Sequence, residues 1–458
     1  MAKKRTYSTT SVEHIDVQAL LPAVSAGCIV ALDVAKQKFV GAIATMSGEI
    51  VKLFRFEHTK QTHQFLDVVR VLQQALKPDQ LRVAMEPTGT YGDSIRYQLT
   101  KLGVLVWMVP PKKTHDSKAL FDDVASLHDP KSAVLVAKLC SMNLATKWEE
   151  TSETRRRLRA LVDLRKHETD HQERCFGRLE GRLARHWPEL GESLGARRPS
   201  TLKLLMDFPS PARVAEKPAD ADNLLRVASR KKLSPEKTAT VVRMAKESLG
   251  LPAWPEEELA IKSLATQAYD AEKRIDDIER QLIMVGRGDR AFQHLASWMG
   301  VYTAAAIIAF CDPRQYATTR QLEKACGLNL REKSSGDWQA EHRDHVRLHI
   351  TKRGPGLVRK LLHMFALRMI DESPTVRAWY MRRRKYIAGS KVVAVVAVIR
   401  KLLKGVFHVA RGAAFCARKL FDLRRLDVPS NKSCECESCN RESNANCLDG
   451  DDVVLRSA

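Results

Sequence analysis

The stretch Cys28–Val51, "CIVALDVAKQKFVGAIATMSGEIV", constrains the fold of this chain more than any other. Its short apolar blocks, separated by turn signals, predict three strands, Cys28–Val34, Phe39–Met46 and Glu49–Glu57. "MSGE" reads as a hairpin turn joining the last two. Asp33 lies inside the first strand. A charge in a strand interior is costly unless something pairs with it, so Asp33 must hold something.

The pattern continues with a helix over His63–Ala75, a strand over Leu81–Met85, a helix over Ser94–Leu102 and a strand over Val104–Val109. "PPKK" then breaks the pattern before a helix over Lys131–Asn143. The order β-β-β-α-β-α-β-α describes a mixed sheet flanked by helices, with its first and fourth strands as neighbours.

Beyond Trp148 the chain turns helical and highly charged, "ETRRRLRALVDLRKHETDHQERCFGRLEGRLARHW". Leu158, Leu161 and Leu164 fit one stripe, and Leu259–Val285 predicts a second long helix. Both are polar enough to be arms or a coiled-coil pair. A Pro-punctuated insert of small helices, Pro199–Pro255, separates them. The predicted organisation is α/β plus all-α: an N-terminal extension (1–26), an α/β domain (27–148), a helical coiled coil with insert (149–290), a helical domain (291–425) and a Cys-rich tail (426–458).

Charge narrows the function. The chain carries 76 Lys+Arg against 54 Asp+Glu, a net charge of +22. Residues 331–425 alone hold 23 Lys+Arg and 7 Asp+Glu, an excess of 16. A polyanionic partner follows, nucleic acid before a membrane surface. Arg382, Arg383 and Arg384 in "YMRRRKY" and Lys352 and Arg353 in "ITKRGPG" read as backbone contacts. Trp379, Tyr380 and Tyr386 read as stacking platforms for unpaired bases. No apolar run is long enough to span a bilayer, and the N-terminus lacks a signal-peptide core, so a cytoplasmic protein with reduced thiols is expected. Cys434, Cys436, Cys439 and Cys447 have the number for a four-thiolate zinc site, but their spacing and terminal position favour a loosely ordered tail.

Asp33, Glu86 in "MEPTGTYG" and Asp129 in "HDPKSAVLVA" can meet at one edge of the sheet. Taken singly, Asp129 also reads as a helix cap and Glu86 as a turn residue. Carboxylates brought together repel unless a cation joins them. Hard oxygen ligands select Mg²⁺ or Mn²⁺, which can promote chemistry at a phosphodiester.

"ALDVAK", "MEPTGTYG" and "HDPKSAVLVA", in that order and spacing, resemble the Asp-Glu-Asp-Asp motif of transposases of the insertion-sequence 110 and 1111 type. The family has Asp-x-x-Asp-Ala at the third acid; here Ser132 replaces the fourth acid. "LASWMGVYTAAAIIAF" and "ACGLNLREKSSGDW" carry a second resemblance, with Met299-Gly300-Val301-Tyr302 where the family has Pro-Gly-x-Gly.

The resemblance implies an RNase H/RuvC-like first domain with Asp33, Glu86 and Asp129 as metal ligands and Ser132 at the fourth position. It implies a transposase domain whose nucleophile, a serine directly before glycine, falls on Ser335, with Ser334 as near rival. It further implies a DNA transposase or recombinase working through a covalent 5′-phosphoserine intermediate on donor and target DNA. The implied assembly is a dimer or tetramer with composite sites, guided by a bridge RNA. A metal-dependent nuclease or junction resolvase that uses water, and a degenerate nucleic-acid-binding protein, remain the alternatives.

Overall fold

The computed structural model describes residues 7–87, 89–119, 128–332, 348–386 and 390–421. It divides into two compact units after Glu150.

The first unit is built on a seven-stranded mixed sheet. Its strands are β1 (Thr10–Ser11), β2 (Cys28–Asp33), β3 (Lys38–Thr45), β4 (Ile50–Glu57), β5 (Leu81–Met85), β6 (Val106–Met108) and β7 (Thr146–Lys147), in the order β1-β4-β3-β2-β5-β6-β7. The helices are α1 (Val17–Leu20), α2 (Thr62–Ala75), α3 (Asp93–Lys101), α4 (Pro111–Asp116) and α5 (Asp129–Ser141). β2 is buried along its whole length apart from half-buried Asp33, because both faces of the sheet are covered. Val30 and Leu32 face one layer, with Phe39, Phe54, Phe56 and Phe65. Ile29 and Ala31 face the other, where Ala42, Ala44 and Ala84 meet Ala133 and Ala137 of α5. Small side chains there let α5 lie close to the sheet. In the β3–β4 turn Gly48 has φ 89°, and a Cβ would come within 2.5 Å of the Ser141 hydroxyl.

Two features depart from the expected pattern. Residues of the N-terminal extension join the unit: β1 pairs in parallel with β4, and Val12, Val17 and Val24 are buried. "PPKK" does not simply break the chain, because Pro111 starts α4, a position where proline's missing N–H costs nothing.

In the second unit α6 (Glu153–His186) and α12 (Pro255–Gly286) form a long antiparallel hairpin. Arg165 pairs with Glu279, with Nε–Oε1 at 2.8 Å, and Arg274 with Glu168 at 2.9 Å. The leucine stripe needs correction: Leu158 is buried and Leu161 packs beside it, but Leu164 is 46% exposed. Steps of three residues rotate backwards around a 3.6-residue helix, and the buried stripe steps by four to Val162.

Between the two long helices lie α7 (Pro188–Ser193), α8 (Pro199–Asp207), α9 (Pro211–Glu216), α10 (Pro218–Ala228) and α11 (Pro235–Lys246). Each begins with proline at its first turn. Their core includes Leu202, Leu205, Leu225 and Val241, packed with Leu179, Leu183 and Ile261 of the hairpin.

The remaining elements are α13 (Arg290–Met299), α14 (Val301–Cys311), α15 (Thr319–Ala325), strands β8 (Leu330–Glu332) and β9 (Leu348–Ile350), α16 (Gly356–Glu372), α17 (Pro374–Tyr386), α18 (Lys391–Val409) and α19 (Ala417–Leu420). The helices among them share a core with Leu158, Val162, Ile278 and Leu282 of the hairpin, to which the apolar α14 contributes Ala304–Ala309. Among the described residues no helix is long and apolar enough to cross a membrane. Cys434, Cys436, Cys439 and Cys447 lie outside the described residues, and the six described cysteines are buried and form no disulfide with one another.

Candidate active site and nucleophile loop

Strand pairing places the first two acids. β2 runs parallel to β5, and their last paired rung is Leu32 with Met85. Asp33 and Glu86 follow that rung at the same level on adjacent strands, which lie about 4.8 Å apart. Alternation fixes their side. Ile29, Ala31 and Ala84 face α5, so Asp33 and Glu86, in phase with them, belong to that face too.

α5 supplies the rest. Its N-cap is His128, whose Nδ1 accepts the Lys131 N–H at 3.3 Å. The cap role considered for Asp129 thus falls to its neighbour, and Asp129, the first helical residue, stands exposed. Ser132, one turn on, is buried at 7% exposure, and its hydroxyl donates a hydrogen bond to Asp33.

The electrostatics of Asp33 register this convergence. Burial, then the negative charges of Asp129 and Glu86, push its carboxyl up to about 6, against the Ser132 hydroxyl and the Val34 N–H, which favour the ionised form. A carboxylate destabilised by two others suits a hard dication in its chemistry. As the side chains stand, no group of three His, Cys, Asp or Glu among the described residues is arranged to hold a metal ion. Asp129 and Glu86 are coupled to Asp33 electrostatically.

In the second unit Ser334 and Ser335 lie outside the described residues, in the connection from β8 to β9. The base of that connection is well defined. β8 and β9 pair in antiparallel fashion from Leu330–Ile350 to Glu332–Leu348. Below them Thr351 N–H donates to the Asn329 carbonyl at 3.0 Å and Lys352 N–H to the Gly327 carbonyl at 2.9 Å. Gly327 has φ 69°, and a Cβ there would lie 2.7 Å from the Arg353 nitrogen. The Arg359 guanidinium donates to the carbonyls of Cys326 and Gly354. Lys352 and Arg353 are exposed at this base. Neither Gly327 nor Arg359 stood out in the sequence; the glycines of "ACGL" and "KRGPG" were the available signal for two backbones crossing closely.

The basic helix α17 is less uniform than its sequence. Arg383 is exposed, whereas Arg382 and Arg384 are half-buried and already have partners within the chain. Trp379 stacks edge-on against Phe421 with centroids 5.5 Å apart, and Tyr380 packs on the same core. These two half-buried rings are thus engaged in packing; nothing is described of the Tyr386 side chain. Gly300, at φ 91°, joins α13 to α14.

Residues 30–188 match a family model described as a transposase, of the DEDD type of IS110. Residues 291–381 match the model of the transposase IS116/IS110/IS902 family. Together the matches span more than half of the chain. Compared with the curated proteins, the chain finds no match.

Proposed function

Since the chain belongs to the IS110/IS116 transposases, enzymes that cleave and rejoin DNA, we propose that it does so through a covalent phosphoserine intermediate. Asp33, Glu86 and Asp129 form the metal-binding acids of an RNase H/RuvC-like domain, Ser132 stands at the fourth position, and Ser335 is the nucleophile. The observation that supports the metal assignment is the coupling of Asp33 to the charges of Asp129 and Glu86, with the Ser132 hydroxyl hydrogen-bonded to it.

In this reading the Ser335 Oγ attacks the scissile phosphorus. The Oγ–P bond forms as the P–O3′ bond breaks; the serine proton passes to water, and the 3′ oxygen takes a proton and leaves as a hydroxyl. The resulting diester retains the energy of the broken bond, so a 3′ hydroxyl can attack it and rejoin the strands. Bound Mg²⁺ or Mn²⁺ supplies charge neutralisation at the phosphate. Lys352 and Arg353, at the base of the serine loop, hold the DNA backbone near the nucleophile.

Donor and target DNA, a bridge RNA and an oligomer up to a tetramer complete the proposal. The basic C-terminal segment and the α6–α12 arm are compatible with them. Asp33→Asn tests the metal assignment: cleavage in Mg²⁺ should vanish while duplex binding is largely retained. Full cleavage by that variant would remove Asp33 from the reaction.

A further inference from the structure

The insert on the α6–α12 hairpin carries a basic turn that the protein does not neutralise. From Arg226 to Lys246, across the α10–α11 connection, seven cations accompany one acid, Glu236. Of the seven, only Arg226 has an ion-pair partner among the described residues, Asp222 at 2.8 Å. Several arginines elsewhere on the arm are matched: Arg165 with Glu279, Arg274 with Glu168, Arg197 with Glu173 and Glu180, and Arg213 with Glu258.

The turn is also well defined. Arg230, Lys231 and Lys232 are consecutive and exposed. Arg230 and Lys231 both have left-handed backbone, φ 53° and 60°, which costs side chains of this kind about 1–2 kcal/mol each. Lys231 N–H donates to the Arg226 carbonyl at 2.9 Å and Lys232 N–H to the Ser229 carbonyl at 3.1 Å. Leu233 anchors the turn in the insert core. The three cations themselves contribute nothing to that core.

We propose that Arg230, Lys231 and Lys232 contact the phosphate backbone of the duplex DNA substrate. The proposal rests on DNA as the substrate and is independent of the serine and metal assignments.

The test is made on the full chain with R230N/K231N/K232N. Asparagine tolerates the left-handed conformation, so the turn is kept while its charge is removed. Binding to a mixed-sequence DNA duplex of about 40 base pairs, and to an RNA duplex of equal length, is measured against salt. On DNA the slope of log K against log salt should become shallower by about 2–3, at roughly 0.9 per lost contact, with the melting temperature unchanged. The charge-keeping variant R230K/K231R/K232R should retain the wild-type slope. An unchanged DNA slope, a change confined to RNA, or an equal loss in the charge-keeping variant would each overturn the proposal. Adduct formation by the same variants, scored separately, reports on the phosphoserine reading instead.

Discussion

Ser132 donates its hydroxyl to the carboxylate of Asp33 from the buried side of α5. Ser132, proposed for the fourth position of the site, is thus joined to Asp33. The bond favours ionised Asp33, while burial and the charges of Asp129 and Glu86 oppose it.

Asp33 should therefore make metal-free stability fall with rising pH. Its folded pKa, about 6, lies above its ordinary value of 3.8. Between the two the folded state keeps a proton that the unfolded state has lost, so the folded state loses ground as pH rises through that window. With EDTA, Asp33→Asn should melt higher than wild type above pH 6 and equally below about pH 4. A lower melting temperature for the variant at pH 7 would contradict the electrostatic strain described for this carboxylate.

Ser132→Asp should restore a fourth carboxylate. Affinity for dications rises with ligand charge, so half-saturation of cleavage should move to several-fold lower Mg²⁺. The same variant should be less stable than wild type in EDTA, where the added charge repels its neighbours. A superimposable Mg²⁺ titration would place Ser132 outside the site.

On α17 the three arginines should separate. Arg383→Gln should flatten the salt dependence of duplex binding by about 0.9 with no loss of stability, as expected for one phosphate contact. Arg382→Gln and Arg384→Gln remove groups with partners inside the chain and should lower the melting temperature. Unchanged slopes for the triple variant would move the nucleic-acid track off this helix.

Gly327→Ala forces a Cβ to within 2.7 Å of the Arg353 nitrogen at φ 69°. A loss of about 1–3 kcal/mol is expected, together with loss of cleavage, because the crossing supports the serine loop. Denaturant unfolding that matches wild type would show the crossing to be dispensable.

The first domain was legible because its central strands are mostly apolar and their order admits few sheets. Leu81–Met85 appears with the expected bounds, next to β2. β1 escaped notice because Thr10 and Ser11 are polar and only two residues long; their place is set by pairing with β4. α4 was hidden by its own start signal, a proline pair that reads as a break.

Alternation along β2 and β5 specifies the face shared by Asp33 and Glu86. It becomes usable only once α5 is known to cover that face. In the second unit the long hairpin was legible from charge and length. The basic turn of its insert was not, because cations in sequence do not reveal which of them lack partners.

The most direct test of the transposase chemistry is a denaturing gel. Protein, labelled DNA spanning the element's junction and Mg²⁺ are incubated, with and without RNA transcribed from the DNA flanking the coding sequence, and then denatured. Wild type should yield a slow band in which protein is linked to the 5′ end of the cleaved strand. Ser335→Ala should lack it and Ser334→Ala should keep it. Retention in Ser335→Ala with loss in Ser334→Ala would move the nucleophile by one residue. Cleavage by wild type with no protein–DNA band under any condition would contradict the phosphoserine intermediate and identify water as the nucleophile.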